Sequence, residues 1–223
     1  HGWYNTDVTV HFVASDLLSG LDTVTPDQTL IAEGAGQSVI GYATDRAGNT
    51  ASYTVSGINI DKTTPSINGA PTTLANAHGW YNTDVTIHFV ASDSLSGIDT
   101  VTSDQTLSSE GAGQSVTGTA VDKAGNIAHY TVAGINIDKT NPASTLTIGE
   151  PKSGTDPTYV SSTTEFAIKA IDGLSGAHHI EYKIDLGSWT PYSAPFNVLD
   201  FGSHTVHYRS IDLADNIEAA QSI

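Results

Sequence analysis

The 223-residue chain contains no cysteine, which excludes disulfide staples and thiolate metal centres alike. Basic residues are scarce: eight Lys and Arg stand against 24 Asp and Glu, a formal charge of -16. A surface of that sign repels phosphate backbones and anionic lipid, so no nucleic acid is expected as a partner. The same acidity suits divalent cations, which prefer oxygen ligands, or simply keeps a secreted protein soluble; charge alone does not separate the two. No stretch approaches the length of a membrane span and no signal-peptide pattern opens the chain. It starts at His1, partway through a repeat, and reads as a piece of a longer protein. Also missing are a nucleophile elbow, a phosphate loop and paired carboxylates on a catalytic frame. Gly-Ala-Gly at 34–36 and 111–113 sits in a loop with no helix after it. The chain is therefore not expected to be an enzyme, and no catalytic residues are assigned.

What is present is β-forming: Thr, Ser, Val, Ile and Gly dominate, with turn residues throughout. One acidic turn occurs three times, as Asp45-Arg46-Ala47-Gly48-Asn49, Asp122-Lys123-Ala124-Gly125-Asn126 and Asp212-Leu213-Ala214-Asp215-Asn216. Each lies between alternating segments and reads as a hairpin turn in which Gly, or the tolerant Asp, takes the left-handed position. Upstream of each lies a second acidic turn, beginning at Asp16, Asp93 and Asp172 and closing on Ser-Gly.

Residues 1–62 and 78–139 are near copies at an offset of 77 (78 minus 1), with no insertion or deletion. An active site rarely needs copying intact, so this duplication favours a tandem array. Residues 84–93 alternate strictly, with Val85, Ile87, Phe89 and Ala91 on one face and His88 on the other, the pattern of a half-buried strand. Short strands with turn signals every ten or so residues give the fold class: all-β, three tandem immunoglobulin-like β-sandwiches at 1–62, 63–139 and 140–223. The first lacks the sequence that supplies the opening strand of the second, so its edge is expected to be open. The linkers Asp61-Lys62-Thr63-Thr64-Pro65 and Asp138-Lys139-Thr140-Asn141-Pro142 are short and stiffened by proline, which predicts an extended rod. In the third domain the two acidic turns are 40 positions apart (212 minus 172) rather than 29 (122 minus 93), and the added segment is rich in aromatics.

The run Glu181-Tyr182-Lys183-Ile184-Asp185-Leu186-Gly187-Ser188-Trp189-Thr190-Pro191-Tyr192, followed by Phe201-Gly202-Ser203-His204-Thr205-Val206-His207-Tyr208-Arg209-Ser210-Ile211-Asp212, resembles the OmpL47-type domain of bacterial and archaeal surface proteins. The two 77-residue repeats are similar to bacterial Ig-like domains, in which Gly-Trp-Tyr-x-x-x-Val-Thr-Val opens a strand and Asp-x-Ala-Gly-Asn closes a hairpin. These resemblances imply a non-catalytic stalk or accessory module, extracellular or at the cell surface, flanked by other domains of the same polypeptide.

Strand parity then predicts a site. In such a sandwich the second and sixth strands run the same way, so Asp93 and Asp122 end at one pole, where the preceding linker arrives. Asp61 should approach Asp93, Asp122 and Asn126, and Asp138 should approach Asp172, Asp212 and Asn216; Asp16, Asp45 and Asn49 are their counterparts in the first repeat. Carboxylates with amide and backbone oxygens form the ligand set that Ca²⁺ prefers, roughly six to eight oxygens. The competing reading is that each Asp only caps its own turn. Trp189, Tyr192 and Tyr182 form either a packing cluster or a stacking platform for a glycan. A glycan- or protein-binding adhesion module is the alternative function, and strand donation into the open edge of the first domain is a third. Histidines 178 and 179, adjacent on a strand, are expected to face opposite sides.

Overall fold

The computed structural model describes residues 1–223 and contains strands and turns but no helix; none, therefore, is long and apolar enough to cross a membrane. Residues 1–62 form β1 (Val8–Val10), β2 (Leu21–Val24), β3 (Gln28–Leu30), β4 (Gly34–Asp45) and β5 (Thr50–Ile60). The second repeat supplies β6 (Ser66–Pro71), β7 (Trp80–Tyr81), β8 (Val85–Ser92), β9 (Ile98–Val101), β10 (Gln105–Leu107), β11 (Gly111–Asp122) and β12 (Ile127–Ile137). The remainder forms β13 (Ala143–Ile148), β14 (Lys152–Ser153), β15 (Tyr159–Val160), β16 (Phe166–Ile171), β17 (Ala177–Ile184), β18 (Thr190–Pro191), β19 (Val206–Asp212) and β20 (Gln221–Ser222).

Two compact units emerge. One comprises His1–Ala70, His88–Asp104 and Val116–Val132, the other Pro71–Ile87, Gln105–Ser115 and Ala133–Ile223. In the first unit the β1-β3 pair faces the β2-β4-β5 sheet. Val10 of β1 packs against Ile58 and Ile60 of β5, with Val8, Leu30, Val39 and Val55 around them. In the second unit the β13-β16 pair faces β18-β17-β19-β20. Phe166 and Val206 meet between them with Val198, flanked by Leu146, Ile148 and Ile184. Both are two-layer sandwiches. Burying the inward residue of every second position is what drives their formation, and the alternation in β8 shows it: Val85, Ile87 and Phe89 are buried while His88 is exposed.

Strand order completes the fold class. The sheets of the second repeat read β10-β8-β6 and β7-β12-β11-β9, the division of an immunoglobulin sandwich into A-B-E and C-F-G strands. The aromatic pair Trp80-Tyr81 adds to the second sheet in parallel, opposite Asn136 and Ile137; Tyr4 bridges Ile60 the same way in the first repeat. The hairpin turns need one left-handed residue each. Gly125 has φ 92 and Asp215 has φ 67, so aspartate takes the position in the C-terminal copy, as sequence reasoning expected.

Two local expectations are revised. The glycines at 111–113 do not form a free loop but begin β11, whose entry is fixed by the Gln114 side chain donating to the Ser109 and Gly111 carbonyls. His178 and His179 do not diverge: a register shift between Ala177 and His179 breaks the alternation, and the two rings meet edge to face at 5.2 Å.

Candidate functional site

The chain leaves β5 directly into Asp61, whose backbone amide donates to the Tyr4 carbonyl at 2.8 Å. This holds the fully buried Asp61 carboxylate at the pole carrying both acidic turns of the second repeat. Its Oδ1 accepts from the Thr63 amide at 3.1 Å and its Oδ2 from the Ser96 amide at 2.9 Å. Asp93 takes its turn hydrogen bonds on Oδ1, from the amides of Leu95 (3.1 Å) and Gly97 (2.8 Å) and the Ser96 hydroxyl (3.4 Å). Asp122 accepts from the Asn126 amide and side chain at 2.8 and 2.7 Å. The Asn126 side chain also donates to the Asp61 carbonyl at 2.9 Å. One carboxylate oxygen from each of Asp61, Asp93 and Asp122 lies within 4.8 Å of the others.

The arrangement recurs at the second linker although the following sequence differs. Asp138 accepts from Thr140 (3.1 Å) and Ser175 (2.8 Å). Asp172 accepts from Leu174 and Gly176, Asp212 from Ala214 and Asn216, and Asn216 Nδ2 donates to the Asp138 carbonyl at 2.9 Å. Asp138, Asp172 and Asp212 again converge within 4.8 Å. The first repeat is different. Asp16 and Asp45 make the same turn hydrogen bonds, Asp45 with both the amide and side chain of Asn49, but no third carboxylate joins them.

Turn capping accounts for Asp93 and Asp122 but not for Asp61 and Asp138, whose Oδ2 atoms reach amides 35 and 37 residues away. Burial works to raise the Asp93 pKa; the amides of Gly97 and Leu95 and the Ser96 hydroxyl outweigh it and hold the carboxyl below its ordinary value. Asp172 is lowered in the same way, with burial opposing the Gly176 and Leu174 amides. No Lys, Arg or His is ion-paired with any of the six carboxylates. Buried and part-buried carboxylates with only neutral donors are costly, and a divalent cation on the lone pairs that these hydrogen bonds leave free is the counter-charge that such a donor set accommodates.

The aromatic positions are engaged elsewhere. Tyr182 stacks on Phe196 with ring centroids 3.8 Å apart, and Tyr192 meets both rings edge-on at 6.4 Å. Trp189 is separate, with the Arg209 guanidinium 4.3 Å and the Lys183 ammonium 5.2 Å from its ring centre. These contacts favour the packing role.

Sequence reasoning passed over three residues. Asn76 donates to the Leu213 carbonyl and to Asp215 Oδ2, each at 2.8 Å, which gives the aspartate at that left-handed turn position a partner. Glu218 is buried in the C-terminal sandwich, bonded to Ser144 and Ser210, with no motif to announce it. Asp185 accepts from the Thr205 amide and pairs with His204 Nδ1 at 2.8 Å. The bond to Asp185 raises the His204 pKa above 6.5. A group whose folded pKa is raised adds stability below its unfolded pKa and loses it as pH climbs through the folded value. NMR titration is expected to place His204 above 6.5, and Asp185→Asn to remove the rise; an unchanged titration in the variant would detach His204 from Asp185.

No protein family model matches the chain, and no curated protein matches it. The resemblance of the C-terminal segment to OmpL47-type domains remains a resemblance. Among solved structures, the fibronectin(III)-like modules of Clostridium thermocellum CbhA are 15% identical, covering 70% of this chain and 91% of theirs, with a TM-score of 0.34. A protocadherin gammaB7 EC3-6 cis-dimer structure is 14% identical, covers 97% of this chain and 64% of that one, and has a TM-score of 0.34. The extracellular cadherin domains 1-5 of protocadherin gamma B2 give 12%, 97%, 51% and 0.32. At these scores the likeness assigns no family, and the fold rests on the chain's own strand order.

Proposed function

We propose that this chain is a non-catalytic extracellular spacer, a tandem of immunoglobulin-like sandwiches at 1–62, 63–139 and 140–223 whose linkers are locked by Ca²⁺-binding carboxylates. The observation that carries the reading is the repeated linker aspartate: Asp61 and Asp138 are each fully buried against two acidic turns in the same hydrogen-bond frame. A device built twice on different downstream sequence is there to fix how the linker enters the next sandwich. Asp61, Asp93 and Asp122 would hold one ion, and Asp138, Asp172 and Asp212 a second, with further oxygens from the turns. Bound calcium there neutralises the cluster and couples linker to turns. Affinity on the order of 10⁻⁴–10⁻³ M, usual for extracellular modules, suits a site saturated outside the cell.

Calcium is expected to raise the melting temperature and EGTA to lower it, while cleavage at residues 62–65 and 139–142 by a nonspecific protease becomes faster in EGTA. Identical melting and cleavage in the two buffers would leave a spacer held by hydrogen bonds alone.

A further inference from the structure

We propose that His78, His178 and His179 form a binding site for a divalent transition-metal ion of the zinc type. Two of the three are adjacent on β17, where strict alternation would send their rings to opposite faces of the sheet. The register prevents it. Ala177 pairs with Asp212 and His179 with Ile211, so His178 is an extra residue with no partner on β19, and such a bulge re-aims the side chain it carries. The His178 ring meets both of the others, its centre 4.6 Å from that of His78 and 5.2 Å from that of His179. With metal–nitrogen bonds of about 2.1 Å, two imidazoles on one ion have their ring centres about 4.5–5.3 Å apart, so both contacts already have the spacing of a shared ion.

The same backbone frame occurs once more and carries different chemistry. In the second repeat Asp99 is the extra residue, since Thr100 pairs with Val121 and Ile98 with Asp122. His1, the equivalent of His78 (78 minus 77), meets Asp99 Oδ1 at 3.2 Å. There an imidazole finds a carboxylate. At the C-terminal bulge it finds a second imidazole, and neither gains an acceptor. Ring nitrogens of His11, His88, His129 and His204 each have a hydrogen-bond partner, whereas those of His78, His178 and His179 have none. All three side chains are exposed, so their nitrogens are open to an ion from solvent.

The frame that holds His78 is closed. Asn76 Oδ1 accepts from the His78 and Trp80 amides, each at 3.0 Å, and Asn76 Nδ2 donates to the Leu213 carbonyl and to Asp215 Oδ2. The Leu213 amide in turn donates to the Gly176 carbonyl at 3.0 Å, two residues before His178. One chain of hydrogen bonds thus runs from the backbone of His78 to the base of the bulge, and binding has only the rings themselves to order. Neutral imidazole suits zinc, copper and nickel, where carboxylate and carbonyl oxygens suit calcium. The site shares no residue with the carboxylate clusters, so it stands or falls apart from the calcium reading. A bound ion clips the segment ahead of β7 to β17.

The test titrates zinc into the 223-residue chain with millimolar calcium present and follows the imidazole resonances by NMR. One ion per chain is expected to shift His78, His178 and His179 together and to leave His11 and His88, each held by an aspartate, where they are. His178→Ala, which removes the ring common to both contacts, is expected to weaken binding by about tenfold or more, and His78→Ala and His179→Ala by several-fold each. His88→Ala is expected to bind as the parent does. Copper bound at the same place should show nitrogen hyperfine splitting from two or more imidazoles in its electron paramagnetic resonance spectrum. Equal affinity in His178→Ala and the parent, shifts at His11 and His88 as large as those at the three, or displacement of zinc by calcium would each leave an adventitious ion only and overturn the proposal.

Discussion

Glu218→Ala is expected to cost about 3–5 kcal/mol, the largest loss from any single polar substitution in the C-terminal sandwich. The carboxylate is buried, and Oε1 accepts from the Ser144 amide at 2.9 Å. Oε2 accepts from the Ser210 amide at 3.0 Å, the Ser210 hydroxyl at 2.9 Å and the Ser144 hydroxyl. Ser144 belongs to β13 and Ser210 to β19, so one side chain ties the two facing sheets. Alanine leaves two buried amides without an acceptor, at about 1–3 kcal/mol each, while the hydroxyls can rotate towards one another. Glu218→Gln keeps an acceptor and is expected to cost about half as much. Urea denaturation of both variants decides it, and an alanine variant within about 1 kcal/mol of the parent would remove Glu218 as the tie between sheets.

Burial works to raise the Glu218 pKa, but the hydroxyl and amide of Ser144 and then those of Ser210 outweigh it, and the result lies below 4.5. A depressed folded pKa contributes stability that is present above the unfolded pKa and lost as pH falls through the folded value. The acid limb of the stability curve should therefore flatten in Glu218→Gln.

Much of this architecture is legible in the chain itself. Strict alternation over 84–93 identifies β8 and its buried face, and counting strand directions places Asp93 and Asp122 at one pole beside the linker carboxylate, because strand polarity is a topological quantity that needs no side-chain detail. What stays hidden depends on local departures or on distant partners. Nothing periodic marks Glu218, whose acceptors' partners lie 74 and 8 residues away. The bulge that swings His178 beside His179 costs one residue of register and leaves no compositional trace. Richness in aromatics at 182–196 is visible, yet nothing in the pattern tells that Trp189 lies under Arg209 rather than among the tyrosines.

For Asp138→Asn the expected result is a much larger loss of stability in calcium than in EGTA. Asparagine keeps the shape but only one acceptor oxygen, so one of the two bonds from the Thr140 and Ser175 amides survives and the other amide faces an NH2 group, at about 1–3 kcal/mol. In EGTA the substitution also removes one of three converging carboxylates, and relief of repulsion among Asp138, Asp172 and Asp212 offsets part of that cost, so the net loss should be small, about 1 kcal/mol. In calcium the same change removes a ligand. An ion at a hundredfold excess over its dissociation constant adds about 2.7 kcal/mol, and most of that contribution at this junction should vanish. Asp61→Asn should behave alike at the other junction, and because the two clusters share no residue, the double variant should lose close to the sum. Differential scanning calorimetry of parent, single and double variants in both buffers measures these differences. Equal destabilisation with and without calcium would mean that Asp138 acts as a hydrogen-bond acceptor for Thr140 and Ser175 alone, and the metal would then have no part in locking the linker.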